Sequence, residues 1–445
     1  MNPLTKIKLL LTFIITTFVL EINISLTQAQ NIKICSVSDI HYFNPQLIEK
    51  NGKAFQKSIL YDRKMVAESD AIFKSFCDTI QNIKPDILLI TGDLTKDGEL
   101  LCHTVVASEL RKLMNKGIKV FVVPGNHDIN NHNALSYNGD STKHVQFIVP
   151  EEFEKIYADF GYKQALDKDP YSRSYVAEPV NGLQILAIDA CRYEISASKP
   201  HPETSGGIRP ETYKWLKSKI ANATAQNKII IGIMHHGMLE HFKGQKTIFP
   251  KYVIDAWDTI SSQLADLGLQ IVFTGHFHAQ DIVKKQTSAG NNIYDIETGS
   301  LLTYPCPYRI ITLTTDRKFI VSGRRITGIN YNTGNLTFQE YAKNELKKRM
   351  PSMEIGFLTS PSWGINLSTD QAKQIEPFVS MTMMAHYEGD EKNPSPEILS
   401  IIKKLKEDNK TNTLGNTLEA IWNDPQPSDW NTTIDLGAFY KNKKK

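Results

Sequence analysis

Cysteine is scarce in this 445-residue chain, and none of it is spaced to do chemistry. Cys35, Cys77, Cys102, Cys191 and Cys306 are odd in number, scattered, and form no C-x-x-C pair, so neither a disulfide framework nor a zinc–thiolate site is encoded. Cys35 and Cys191 adjoin apolar, strand-like runs, where buried free thiols are expected. An excess of one charge is missing as well. With 51 Lys and Arg against 48 Asp and Glu the net charge is +3, and no basic stripe interleaved with aromatics appears, so no nucleic-acid partner is expected. There is no internal repeat, and beyond residue 29 no apolar run could span a bilayer. What remains is 41% hydrophobic and 22% charged, the composition of a globular protein with room for one large domain and an added module.

The one long apolar run lies at the amino end. Lys6 and Lys8 precede Leu9 to Leu20, and small and polar residues lead on to Thr27-Gln28-Ala29. Charged, then apolar, then small is the order of a secretory signal, cleaved here after Ala29; Glu21 cuts the run short of a full membrane span. Residues 1–29 are expected to be a signal peptide. The protein is then exported, to a periplasm or to the extracellular space, with no membrane span left after cleavage.

From residue 30 the pattern is strand, helix, strand, helix, strand. Ile32–Val37 alternates as a half-buried strand, Asp86–Ile90 is apolar throughout, and Lys119–Val123 follows a helical stretch that stops at Gly117. Such an order means right-handed crossovers and a largely parallel sheet, with ligands at the carboxyl ends of its strands. The segment 130–169 reads as an insertion over the site, with one helix near 151–160. Strands resume at 183–188, 228–234 and 269–274, with helices at 210–220 and 252–267. From 281 to 326 short strands separated by turn residues suggest a second sheet, mixed or antiparallel. The expected fold class is α/β, a four-layer α-β-β-α sandwich over residues 30–335. A small all-helical module is expected over 336–445, with helices at 338–350, 369–387, 396–407 and 414–422.

Polar clusters sit where the buried strands end: Asp39-Ile40-His41, Gly92-Asp93, Gly125-Asn126-His127-Asp128, and Gly275-His276-Phe277-His278, with His235 behind another apolar run. Hydrolysis of a phosphoester needs a nucleophilic oxygen at neutral pH and a means of spreading negative charge, and a pair of divalent cations supplies both. Asp93 is the natural bridge between two cations, at the end of the most apolar strand, and Gly92 lets the chain turn just before it. Asp39 and His41 can reach one metal together. Asn126 offers a neutral amide oxygen, and His235, His276 and His278 offer imidazole nitrogens. Asp-x-His or Gly-Asp alone marks little more than a turn; the full ordered set, each behind an apolar strand, is specific.

The set resembles the calcineurin-like metallophosphoesterase family, whose pattern runs D-x-H, G-D, G-N-H-D/E, H, G-H-x-H, and the resemblance covers about residues 32–327. It implies a first metal held by Asp39, His41, Asp93 and His278, and a second held by Asp93, Asn126, His235 and His276. His127 is implied as the unligated residue that stabilises the phosphoryl group or protonates the leaving oxygen, with Asp128 orienting it. His235 is preferred to His236 because it directly follows the strand. His103, His132, His144, His201, His241 and His386 are expected at the surface or in loops. Lys96 stands where purple acid phosphatases carry a tyrosine, so no iron–tyrosinate centre is expected. The cofactors implied are two divalent metal ions, and Mn²⁺, Fe²⁺/Fe³⁺ or Zn²⁺ all suit the donors. Asp39-Ile40-His41, the Trp215…His235-His236 spacing and Gly299-Ser300-Leu301 look like the cyclic-nucleotide phosphodiesterase branch.

The function these features imply is a secreted or periplasmic dinuclear-metal phosphoesterase that hydrolyses small phosphodiesters, cyclic-nucleotide-like or related, with a metal-activated water. One alternative is a phosphomonoesterase or nucleotidase of the same fold. Another, of a different class, is a non-catalytic cell-envelope binding protein with a structural metal site. No feature of the sequence specifies an oligomeric state.

Overall fold

The structure is a computed structural model that describes residues 30–442 except 200, 362–364, 366 and 425. The expected signal peptide, 1–29, lies outside the described residues. Among the described residues no helix is long and apolar enough to cross a membrane.

Among the described residues fifteen strands occur in chain order: β1 (Ile32–Val37), β2 (Ile87–Ile90), β3 (Lys119–Val122), β4 (Leu135–Asn138), β5 (Ser141–His144), β6 (Ala165–Lys168), β7 (Tyr175–Val180), β8 (Leu183–Ile188), β9 (Ile229–Met234), β10 (Ile271–Thr274), β11 (Asp281–Gln286), β12 (Asn292–Glu297), β13 (Pro307–Leu313), β14 (Lys318–Arg325) and β15 (Asn431–Asp435). They form two large mixed sheets, ordered β15-β14-β13-β1-β2-β3 and β11-β12-β10-β9-β8-β7-β6, and a separate β4-β5 hairpin. In the first sheet β1, β2 and β3 run parallel. In the second, β8, β9, β10 and β12 do.

The strand pattern explains the layers. In β9 the side chains of Ile229, Ile231 and Ile233 join the core between the sheets, whereas Ile230 and Met234 join a second core. That second core includes Leu216 and Ile220 of the helix Pro210–Ala225, and Leu264 of the helix Trp257–Leu267. Strands buried on both faces read as unbroken apolar runs, and the four residues of β2 are all buried. Helices outside two facing sheets give the expected four layers. The run from 281 to 326 does not form one sheet by itself. β11 and β12 extend the second sheet, while β13 and β14 return to pair antiparallel beside β1. Short strands with similar patterns carry no mark of which edge they will join.

The carboxyl-terminal helices are Phe338–Leu358, Thr369–Glu388, Pro396–Glu407, Asn412–Trp422 and the short Gly437–Asn442. Thr337, Ser368 and Ser395 cap three of them through side-chain oxygens. The tail also contributes β15, which pairs antiparallel with β14 as the edge of the first sheet. Its attachment is polar as well as apolar. Arg349 Nη1 donates to the Lys64 carbonyl at 2.6 Å, and Asp429 Oδ1 accepts from the Ile282 amide at 2.9 Å.

Of the histidines expected at the surface or in loops, His103 and His386 are buried on helices, and His241 is in a loop but buried. His241 lies among carboxylates, with Nδ1 3.2 Å from Asp281 and Nε2 3.4 Å from Asp295. His386 pairs with Glu391. Their partners come from distant segments or follow a chain reversal, so the local sequence around each gave no sign of burial. His144 and His201 are exposed, as expected.

Candidate metal centre

Every polar cluster begins one to four residues past the carboxyl end of a central strand: Asp39 after β1, Asp93 after β2, Asn126 after β3, His235 after β9 and His276 after β10. The parallel runs place these ends on one side of the sandwich, as expected of α/β sheets. The turns are tight. Asp39, His41, Asp93, His276 and His278 all have positive φ, between 41° and 78°. Left-handed backbone at a non-glycine residue costs about 1 kcal/mol or more, and a cluster of such residues marks a functional site. Two glycines make room. A β-carbon on Gly92, at φ +93°, would lie 2.7 Å from His235 Nδ1, and one on Gly275 would run into Ser38 Oγ and Asp39 Oδ2.

The seven expected ligands converge. Asp39 Oδ1 lies 3.2 Å from His278 Nε2 and 3.5 Å from His41 Nε2, and those two ring nitrogens are 3.3 Å apart. On the other side, His235 Nε2 is 3.1 Å from Asn126 Oδ1. Asp93 joins the halves, its Oδ2 lying 3.5 Å from His41 Nε2 and 3.3 Å from His235 Nε2. His276 completes the second group, with a donor atom within 4.8 Å of donors from Asp93 and His235. Its ring centroid is 4.7 Å from that of His235. His236 turns away: its Nε2 faces the Thr204 carbonyl at 3.0 Å.

The donors fit divalent cations. Asp39 Oδ1 and His276 Nε2 are buried without a hydrogen-bond partner, and two imidazole nitrogens facing each other at 3.3 Å need a cation or a proton between them. His235 Nδ1 donates to the Thr91 carbonyl at 2.8 Å, which leaves the Nε2 lone pair for a metal. Burial pushes His41 down to about 4 and His278 down to about 3, with Lys64 and Arg63 adding to the effect, and it lowers His276 too. These rings are therefore neutral, as ligation requires. Burial would raise the Asp39 and Asp93 carboxyls, but the surrounding histidines outweigh it and hold both well below the usual range. His235 is pushed up to about 9: burial opposes this, and the Asp93 carboxylate overrides it.

His127 stands beside this set with its ring 5.0 Å from that of His41, edge to face. Its Nδ1 donates to Asp97 Oδ1 at 3.0 Å, and its amide donates to Asp93 Oδ1 at 2.9 Å. Asp128 does not touch the His127 ring. Its carboxylate accepts from the amides of Leu94, Thr95 and Gly125 at 3.2, 3.0 and 2.9 Å, tying together the two loops that carry Asp93 and Asn126. The orienting contact expected of Asp128 is made by Asp97, which is four residues beyond Asp93 and belongs to no motif. Lys96 pairs with Asp97 on its far side and lies 5.4 Å from the centre of the Phe43 ring.

Two cations that the motifs did not reveal also reach the site. Arg63 and Lys64 line a cavity of about 350 Å³ together with Asp93, Asn126, His127 and His276. Arg63 Nε lies 3.2 Å from His278 Nδ1. A basic pair beside an apolar helix start is an ordinary surface feature in sequence; only the fold brings it to the metal cluster.

Among solved structures, the fold is similar to that of a dimetal phosphatase from Danio rerio, at 13% identity over 69% of this chain and 98% of that one, with a TM-score of 0.47. It is also similar to the NAD nucleotidase of Haemophilus influenzae, at 11% identity over 79% of this chain and 60% of that one, with a TM-score of 0.35. A protein of Vesicomyosocius okutanii subsp. Calyptogena okutanii (strain HA), described as "Probable cyclic nucleotide phosphodiesterase", is 36% identical over 76 residues, which is 17% of this chain and 30% of that relative. The match thus spans less than a third of the relative's length. Residues 32–280, more than half of the chain and the stretch that contains all seven converging residues, match the family described as calcineurin-like phosphoesterase. The chain belongs to the calcineurin-like phosphoesterases.

Proposed function

We propose that this metal-dependent phosphoric ester hydrolase is an exported phosphodiesterase acting on small, cyclic-nucleotide-like or related diesters. The observation that carries the two-metal reading is Asp93 Oδ2, set within 3.5 Å of His41 Nε2 and 3.3 Å of His235 Nε2, so that one carboxylate joins two groups of donors. Asp39, His41, Asp93 and His278 would hold one ion, and Asp93, Asn126, His235 and His276 the other; Mn²⁺, Fe²⁺/Fe³⁺ and Zn²⁺ all suit these ligands. What the bound pair supplies is a more acidic water and neutralisation of phosphoryl charge. The name of the short-matching relative supports the diester preference, and the order of residues 1–29 supports export.

The chain's own groups complete the chemistry. Burial lowers the His127 pKa, but Asp93 and Asp97 outweigh burial and raise it, which favours the protonated ring. With Nδ1 engaged by Asp97, Nε2 is the atom free to give that proton to the departing oxygen. Arg63 and Lys64 add positive charge where a phosphate must sit. The same two cations favour a second reading, a monoesterase, since a phosphomonoester carries more charge than a diester. Parallel assays of bis(p-nitrophenyl) phosphate and p-nitrophenyl phosphate at equal Mn²⁺ decide between them. The diester is expected to have the higher kcat/KM, and Asp93→Ala to abolish both activities. Equal activity of wild type and Asp93→Ala under several metals would refute the two-metal reading.

A further inference from the structure

We propose that the carboxyl-terminal tail builds a subsite for a flat aromatic substituent of the substrate, so that the protein prefers aryl-bearing phosphoesters to small alkyl ones. This deepens the phosphoesterase reading and rests on it. A second cavity, of about 390 Å³, adjoins the one at the metal centre, and both are lined by Tyr61, Arg63, Tyr252 and Met353. Beyond these shared residues the second cavity is mostly apolar. The loop after β10 contributes Phe277, and the tail helices contribute Val379, Met383, Tyr387 and Leu418. A volume of this size with a largely apolar wall and a few polar groups is that of a small-molecule site.

Its position ties it to the chemistry. Arg63 spans the two cavities: Nε lies 3.2 Å from Nδ1 of the expected ligand His278, and Nη1 donates to the Tyr387 hydroxyl at 3.1 Å. The ring of Tyr252 is 4.6 Å from that of His276 and 4.8 Å from that of Phe277. A phosphate held beside His276 and His278 therefore has its substituent facing this wall. Away from Arg63 and Glu354, an uncharged ring meets the aromatic side chains of Tyr252, Phe277 and Tyr387 and the soft thioethers of Met353 and Met383. Tyr61, 63% exposed, is a large aromatic left open to solvent at the shared lining. An occupant that packs against it would account for that exposure.

Binding rather than turnover tests this, with calorimetry on the full-length, Mn²⁺-loaded protein and three phosphonates: methyl, 1-naphthyl and n-octyl. The naphthyl compound is expected to bind about 30-fold more tightly than the methyl one, from the apolar area it buries. Met383→Trp and Val379→Phe, which fill the cavity away from the metals, are expected to bring that ratio to within about threefold. A ratio near one in the wild type, or one unchanged in both variants, would overturn the proposal. So would tighter binding of octyl than naphthyl phosphonate, since the occupant would then be a chain. If no phosphonate binds, the phosphoesterase reading itself fails, an outcome distinct from equal binding of all three.

Discussion

Asp97 Oδ1 accepts a hydrogen bond from His127 Nδ1 at 3.0 Å, while the opposite face of the same carboxylate is held by Lys96. Burial raises the Asp97 pKa, but Lys96 and His127 outweigh burial and keep it below the usual carboxylate range, so Asp97 is a fixed anion. Its role is to fix the imidazole's tautomer and favour its protonated form. Asp97→Asn is expected to lower kcat about 100-fold with little change in KM. Removing the anion lowers the His127 pKa, so the alkaline limb of the pH–rate profile should move to lower pH. His127→Ala with Asp97→Asn should be no worse than His127→Ala alone, because the two residues act as a unit. An unshifted alkaline limb in Asp97→Asn would remove His127 as the proton donor.

Gly275 allows Ser38 Oγ and Asp39 Oδ2 to approach the backbone before His276. Asp39 Oδ2 also accepts from the His276 amide at 2.9 Å, so the first and last motifs are locked together there. Gly275→Ala is expected to destabilise the fold by about 2–3 kcal/mol through overpacking and to weaken metal retention. Urea unfolding read with metal content checks both. A variant within about 0.5 kcal/mol of wild type would show that the loop yields more easily than its contacts indicate.

How much of this was legible before the fold was known depended on the reach of each signal. The convergence of the seven candidate residues was readable, because each follows an apolar strand and parallel strands deliver their carboxyl ends to one edge. The four tail helices expected from the sequence were readable as well. Asp97, Arg63 and Lys64 were not. Nothing local marks them, and their importance comes from neighbours that other loops bring in. β15 was hidden for the same reason: Asn431–Asp435 is polar and short, and its pairing partner β14 lies about a hundred residues earlier. The split of the 281–326 strands between two sheets is a matter of topology that alternation cannot encode.

His103 offers a test of stability rather than catalysis. It is fully buried, with Nδ1 2.8 Å from the Tyr157 hydroxyl and Nε2 3.0 Å from the Asp128 carbonyl, and burial pushes it down to about 3. An unfolded histidine titrates near 6.5, so the unfolded chain binds more protons between about pH 6.5 and 3. Stability should therefore fall as pH drops through that window, with His103 accounting for about 2 kcal/mol at pH 5. His103→Gln is expected to be less stable at pH 7 and to lose less on going to pH 5. Equal losses in variant and wild type, measured by urea unfolding, would assign the acid sensitivity elsewhere.

The end of the chain is bound to the catalytic sheet more firmly than an appended module needs to be. Ile434, opposite Phe319 in the β14–β15 pair, is buried, as are Leu436 and Tyr440. Deleting residues 431–445 should cost about 5 kcal/mol or more from lost apolar burial and should expose the β14 edge. A truncated chain that stays monomeric by light scattering, with an unchanged melting temperature, would contradict this.

The most direct test of two ions joined by Asp93 is anomalous diffraction from crystals of the full-length protein grown with Mn²⁺. Two peaks are expected, one on each side of Asp93 and about 3.5–4 Å apart. The first should lie beside Asp39, His41 and His278, and the second beside Asn126, His235 and His276. A single peak, or peaks that leave the Asp93 carboxylate uncoordinated, would contradict the shared-carboxylate centre.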